Sequence, residues 1–156
     1  MRKIIRIVVV FFVMISVVGG VGLVVMSGAA RFEGVHEVPI PPYSYLTQSA
    51  DKPDYTDAWR AELRLKTFRS IDQVARAAFR RGRELYRSEN EVVFVGTAPG
   101  IHYEVSYFLE QNSQPPALIV STAVYLDSSM GRAYWTIGRP VHRLLVPFRV
   151  NRMARF

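Results

Sequence analysis

The chain has no cysteine among its 156 residues. No disulfide therefore stabilises it, and no thiolate serves as nucleophile or metal ligand. Of three histidines, only His102 and His142 fall in the part that reads as a folded domain. No clustered His/carboxylate spacing accompanies them, so no metal site is expected. No Gly-x-Gly-x-x-Gly follows a strand, and Gly20-Val21-Gly22 lies inside an apolar run. There is no P-loop, and Ser121, Ser128 and Ser129 lack a Gly-x-Ser-x-Gly setting. Dinucleotide, nucleotide and serine-hydrolase chemistry thus have no motif, and no cofactor is expected. Acidic residues are also missing after Asp127, where six arginines follow.

The formal charge is +7, and Arg2, Lys3 and Arg6 precede the apolar run, so the rest carries +7 − 3 = +4. That surplus suits a neighbour of anionic lipid. Nucleic acid needs a denser basic patch with stacking aromatics, and no nucleic-acid partner is expected.

Residues 7–26, IVVVFFVMISVVGGVGLVVM, contain no charge. At about 1.5 Å per residue they match the roughly 30 Å hydrocarbon core of a bilayer. In lipid a spanning segment satisfies its own backbone by forming a helix. A cleaved signal peptide is the rival reading, with Ser27-Gly28-Ala29-Ala30 as the cleavage region. The run exceeds the usual apolar length of such peptides, which favours an uncleaved, single-pass anchor. Basic residues before the run predict a cytoplasmic N-terminus (1–6) and an extracytoplasmic C-terminal domain. Residues 27–54 follow as a linker. Four prolines within VPIPPYSYLTQSADKPD favour an extended course that lifts the domain off the membrane.

The domain is expected over 55–156. From Tyr55 to Lys66 the chain alternates, with Trp59, Ala61, Leu63 and Leu65 on one face, as in a half-buried strand. Ser70 reads as an N-cap for a helix with Ile71, Val74, Ala75, Ala78 and Phe79 as its apolar stripe. Gly82 is its expected end, and Arg76, Arg80, Arg81 and Arg83 form its outer face. Strands are expected at 91–96, 101–110 and 118–127, separated by the turns at 97–100 and 112–116, which implies an antiparallel meander. Met130, Tyr134, Ile137, Val141, Leu144 and Phe148 then recur at steps of four and three as a helical stripe, with kinks or a break expected near Pro140 and Pro147. The expected fold is α+β: an N-terminal transmembrane helix, then a small antiparallel sheet packed against a long C-terminal helix and one shorter helix.

Several residue groups carry a resemblance: Tyr55-Thr56-Asp57-Ala58-Trp59-Arg60, Glu91-Val92-Val93, His102 opening an alternating strand, Gly131-Arg132-Ala133-Tyr134-Trp135, and Pro140-Val141-His142-Arg143. Together they resemble domain of unknown function family 2867, over about Tyr55 to Arg155. The resemblance implies a curved antiparallel sheet gripping a long C-terminal helix, like polyketide-cyclase-like ligand-binding folds, and it implies no activity. Members of that family are often joined to a nucleotide-binding oxidoreductase domain, for which this chain has no motif. The acidic residue usual before the strand histidine is replaced here by Gly100-Ile101.

Three function classes follow. The first is a non-catalytic module that binds an apolar small molecule, a lipid or a protein partner beside the bilayer. Its candidate ligand-binding residues are Tyr103, Tyr134, Trp135 and Arg143; Tyr134 and Trp135 also suit simple packing on the sheet. The second is a cyclase- or isomerase-like enzyme with His102 or His142 as acid/base and Glu104 as a nearby carboxylate. The third is a structural envelope component. A cavity between sheet and helix favours the first two, and a filled core favours the third. Catalysis by the three candidates requires them to converge. The arginine-rich C-terminus is expected to contact anionic lipid.

Overall fold

The computed structural model describes residues 34–64, 70–78 and 82–155. The transmembrane segment expected at 7–26 lies outside the described residues. Among the described residues, no helix is long and apolar enough to cross a membrane.

The domain is α+β, a six-stranded antiparallel sheet covered by a long C-terminal helix. The strands are β1 (Val35–Glu37), β2 (Tyr55–Glu62), β3 (Arg83–Arg87), β4 (Glu91–Ala98), β5 (Ile101–Glu110) and β6 (Ala117–Leu126). The helices are α1 (Tyr45–Gln48), α2 (Ile71–Ala78) and α3 (Ser129–Arg155). Strand order is β1-β2-β6-β5-β4-β3. Short turns make β3 to β6 a meander, and β2 adds to its far side along the full length of β6.

Alternation decides the two faces. Tyr55, Asp57, Trp59 and Ala61 of β2 align with Val124, Thr122, Val120 and Leu118 of β6, and these with Tyr103, Val105, Tyr107 and Leu109 of β5. This face packs against α2 and α3, with Val92, Phe94, Tyr107, Leu118, Val120 and Val150 filling the layer between. Phe94 and Tyr107 meet edge to face at 6.1 Å, and burial pushes the Tyr107 phenol up to about 12.

The opposite face is covered by the stretch expected to be a spacer. β1 pairs with β2. Leu46 then joins Val93, Ala123 and Tyr125 in a second apolar cluster, with Ile40 and Tyr45 packed on it. The Val38 amide donates to the Ala58 carbonyl at 2.9 Å, and the Leu126 amide donates to Asp54 at 2.8 Å. The folded unit therefore starts before Tyr55. Prolines limit the regular structure here to short pieces, but they do not prevent an extended segment from packing its apolar side chains on a sheet.

Other expectations shift by smaller amounts. β2 ends at Glu62, and Leu63 donates to the Pro116 carbonyl at 2.8 Å; Leu65 and Lys66, expected to continue the strand, lie outside the described residues. A helix follows Ser70 over Ile71–Ala78, with the Ser70 carbonyl accepting from the Gln73 and Val74 amides; Phe79, Arg80 and Arg81, expected in it, lie outside the described residues. Arg83, expected on the outer face of that helix, opens β3 instead. Pro140 and Pro147 lie inside α3 without ending it.

The stripe expected to face the sheet does the reverse. Met130, Tyr134, Ile137, Leu144 and Phe148 are 39–68 % exposed, while Val141 in the same stripe is half-buried. Gly131, Pro147, Val150 and Ala154 are buried instead, with Val146 and Met153 against the core. The reason is closeness of approach. A Cβ on Gly131 would overlap the Gly100 carbonyl oxygen, so the first turn of α3 rests directly on the β4–β5 turn. Gly100 itself has φ +69°, a conformation that favours glycine.

Candidate functional site

Two faces of the sheet carry two carboxylate-centred clusters. On the α3 side, β2 presents Tyr55, Asp57 and Trp59 in one row. The Asp57 side chain is fully buried. Its Oδ2 accepts from the Tyr55 hydroxyl at 3.0 Å and from the Trp59 indole at 3.1 Å, and it lies 3.1 Å from His142 Nε2. His142 hangs from the middle of α3, and its ring packs against Trp135 at 5.3 Å and edge-on against Tyr55 at 5.9 Å. Trp135 in turn meets Tyr55 at 5.1 Å, and the Arg139 guanidinium covers the Tyr55 ring at 4.9 Å.

Burial by itself raises the Asp57 pKa. The His142 hydrogen bond and charge, with the Trp59 and Tyr55 donors, outweigh that and hold the carboxyl below its ordinary value. Burial first, and then the Asp57 charge beside it, push the Tyr55 phenol up to about 12. Tyr55 therefore stays a proton donor to Asp57. The carboxylate fixes the imidazole by Nε2, which is how an Asp–His pair sets a ring's orientation.

On the opposite face, Glu91 opens β4 and is buried. It accepts from the Ser44 hydroxyl at 2.6 Å, the Ser106 hydroxyl at 2.5 Å and the Tyr45 amide at 3.0 Å. These bonds fasten the segment before α1 to β4 and β5. An open groove of about 570 Å³ lies beside it, with Tyr43, Tyr86 and Phe108 on its walls.

The candidates read from sequence divide between the faces. His102 lies on the face opposite α3, stacked on Tyr125 at 4.4 Å, with Nδ1 2.9 Å from Asp127. Thus Asp127, just past the paired strand, supplies the carboxylate that Gly100-Ile101 does not. Glu104 shares that face and accepts from the Tyr125 hydroxyl at 3.4 Å. Burial raises its pKa, against the opposing effects of Tyr125 and the His102 charge. His142 is on the other side of the sheet. The three acid/base candidates therefore do not converge.

Among the ligand-binding candidates, Trp135 and Arg143 sit by the Asp57 cluster. Arg143 reaches across to Glu37 of β1 at 2.7 Å. Tyr103 lies in the same row as Tyr55, two strands away, its ring over Gly96 where a Cβ would collide with it. Tyr134 belongs to the outward stripe of α3. None of these candidates lines the open groove.

Sequence reasoning missed Tyr55, Asp57, Arg139 and Glu91 as site members. The signal for Asp57 was present: continuing the Trp59–Ala61–Leu63 alternation backwards puts a carboxylate on an apolar face. Among the described residues, no group of three His, Asp or Glu side chains is placed to hold a metal ion.

No family model, no curated protein and no solved structure matches the chain.

Proposed function

We propose that the chain is a membrane-tethered, extracytoplasmic module that binds a partner on its outer surface and catalyses no reaction. The observation that carries this reading is the separation of the acid/base candidates by the sheet. His102 and Glu104 lie on one face and His142 on the other, so no acid/base set is assembled from them. The uncharged run 7–26 supplies the tether, and the basic residues ahead of it supply the orientation. A protein or a lipid, held from outside, suits such a domain better than a small molecule enclosed within it.

The Asp57–His142 pair favours a second reading, an isomerase- or cyclase-like enzyme with His142 as acid/base oriented by a buried carboxylate. Native mass spectrometry of the full chain taken from its own membrane separates the two. A protein or lipid that stays bound to wild type and to His142→Gln alike supports the binding module. A small molecule that wild type releases chemically altered, and His142→Gln releases unaltered, would establish the enzyme. A structural envelope component would carry no bound species at all.

A further inference from the structure

Among the described residues, five of the seven exposed large hydrophobic side chains lie on the outward stripe of α3. Met130, Tyr134, Ile137, Leu144 and Phe148 lie on one side of the helix, and all are exposed. From Met130 to Phe148 the stripe runs about 27 Å at helical rise. Folded monomers seldom expose a contiguous apolar surface of this kind without a partner for it.

Two further observations choose the partner. The first is charge. Helix α3 carries Arg132, Arg139, Arg143, Arg149, Arg152 and Arg155 and no carboxylate. Arg139 covers the Tyr55 ring and Arg143 pairs with Glu37, but the helix as a whole keeps a positive charge that a second copy would repel. An anionic surface would be attracted instead. The second is reach. Eight residue steps separate Met26, the end of the uncharged run, from Gly34, just before β1. Fully extended, they span at most roughly 30 Å. β1 lies beside α3, joined to it by the Arg143–Glu37 pair. A bilayer that holds residues 7–26 is therefore joined to the start of β1 by a connection of at most that length.

We infer that α3 docks its Met130–Phe148 stripe onto an anionic lipid surface, drawn there by the positive charge of the helix. This names the partner of the module proposed above and rests on that reading for the tether. The arrangement is that of an interfacial amphipathic helix: apolar residues enter the headgroup boundary while the basic charge of the helix is attracted to phosphate. The sheet behind α3 keeps the helix folded before it meets lipid, so docking needs no coil-to-helix transition.

The chain's lack of cysteine makes a direct test simple. Ile137→Cys and Leu144→Cys each accept a single nitroxide label at an exposed position. Each labelled full chain is reconstituted into vesicles of mixed phosphatidylglycerol and phosphatidylcholine, and separately into phosphatidylcholine alone. Collisions with oxygen, relative to a water-soluble nickel chelate, report lipid contact. The expected result is a several-fold higher ratio at 137 and 144 than at a Thr56→Cys control in anionic vesicles, falling toward the control in neutral ones. A ratio equal to the control in anionic vesicles overturns the inference. So does dipolar broadening between labelled copies without a gain in oxygen contact, which would mark a second chain as the occupant. A Ser16→Cys label reads the tether separately. Lipid contact at 16 with water at 137 refutes the docking alone; water at 16 with lipid contact at 137 refutes the tether alone.

Discussion

Asp57 and Glu91 are both buried carboxylates at the surface of one sheet, and each gathers three donors. Their difference is in the donors. Asp57 meets an imidazole, an indole and a phenol, all from large rings that also pack on one another. Glu91 meets two serine hydroxyls and one backbone amide. The first cluster joins β2 to α3 across the main core, while the second fastens an irregular segment to the opposite face. The Asp57 carboxylate shares its site with an imidazole 3.1 Å away. Two buried hydroxyls and a backbone amide make the Glu91 cluster a fastening.

The comparison is most directly broken by truncation. Asp57→Ala removes the buried acceptor shared by a half-buried imidazole, indole and phenol and is expected to destabilise the domain by about 3–5 kcal/mol in urea unfolding. Glu91→Ala strands only neutral donors, so about 1–3 kcal/mol is expected. Its hydrogen-exchange signature should be local, with faster exchange at Leu46 and its neighbours. If Glu91→Ala proved the more costly, the fastening would be the main determinant of the fold and the contrast would reverse.

Acid titration sharpens the same contrast. The Asp57 carboxyl is depressed in the folded chain relative to its ordinary 3.8. Its stabilisation is thus fully present above that value and is lost as pH falls through the lower, folded value. His142→Gln removes the charge that helps depress Asp57, so stability measured from pH 5 down to 3 should fall less steeply in this variant than in wild type, where the pair is intact. Equal slopes would mean that His142 contributes nothing to holding the carboxylate ionised. The smallest effect is expected on the other side of the same helix. Ile137→Ser, at a half-exposed position, should change stability by less than about 0.5 kcal/mol.

Much of the sheet is legible in the sequence because it alternates. β2, β4, β5 and β6 and both longer helices stand where period and capping place them. β1 and α1 are too short, at three and four residues, for any period to register. β3 is hidden because Arg83 and its neighbours continue a basic run that begins on α2. The outward turn of α3 has a different cause. Periodicity identifies a stripe but not what it faces. Met130, Ile137 and Phe148 look more like core than Gly131, Trp135 and His142 do. Yet glycine permits the backbone approach that brings α3 onto the sheet, and the polar atom of His142 is satisfied only there. The candidate site is partly legible for the same reason. His142 and Trp135 are conspicuous residue types, whereas Asp57 becomes significant only once the register of β2 places it against α3.

The two outermost strands bear on how copies of this chain behave when a surface gathers them side by side. β1 is three residues long, and β3 is interrupted by a register shift between Glu84 and Tyr86. Arg87 holds Glu84 and Asp72 along that second edge. Short, bulged and charged borders are poor templates for sheet extension from one molecule to the next. Crowding in a plane would then bring these domains into lateral collision without seeding fibrils, leaving each free to diffuse as a separate particle.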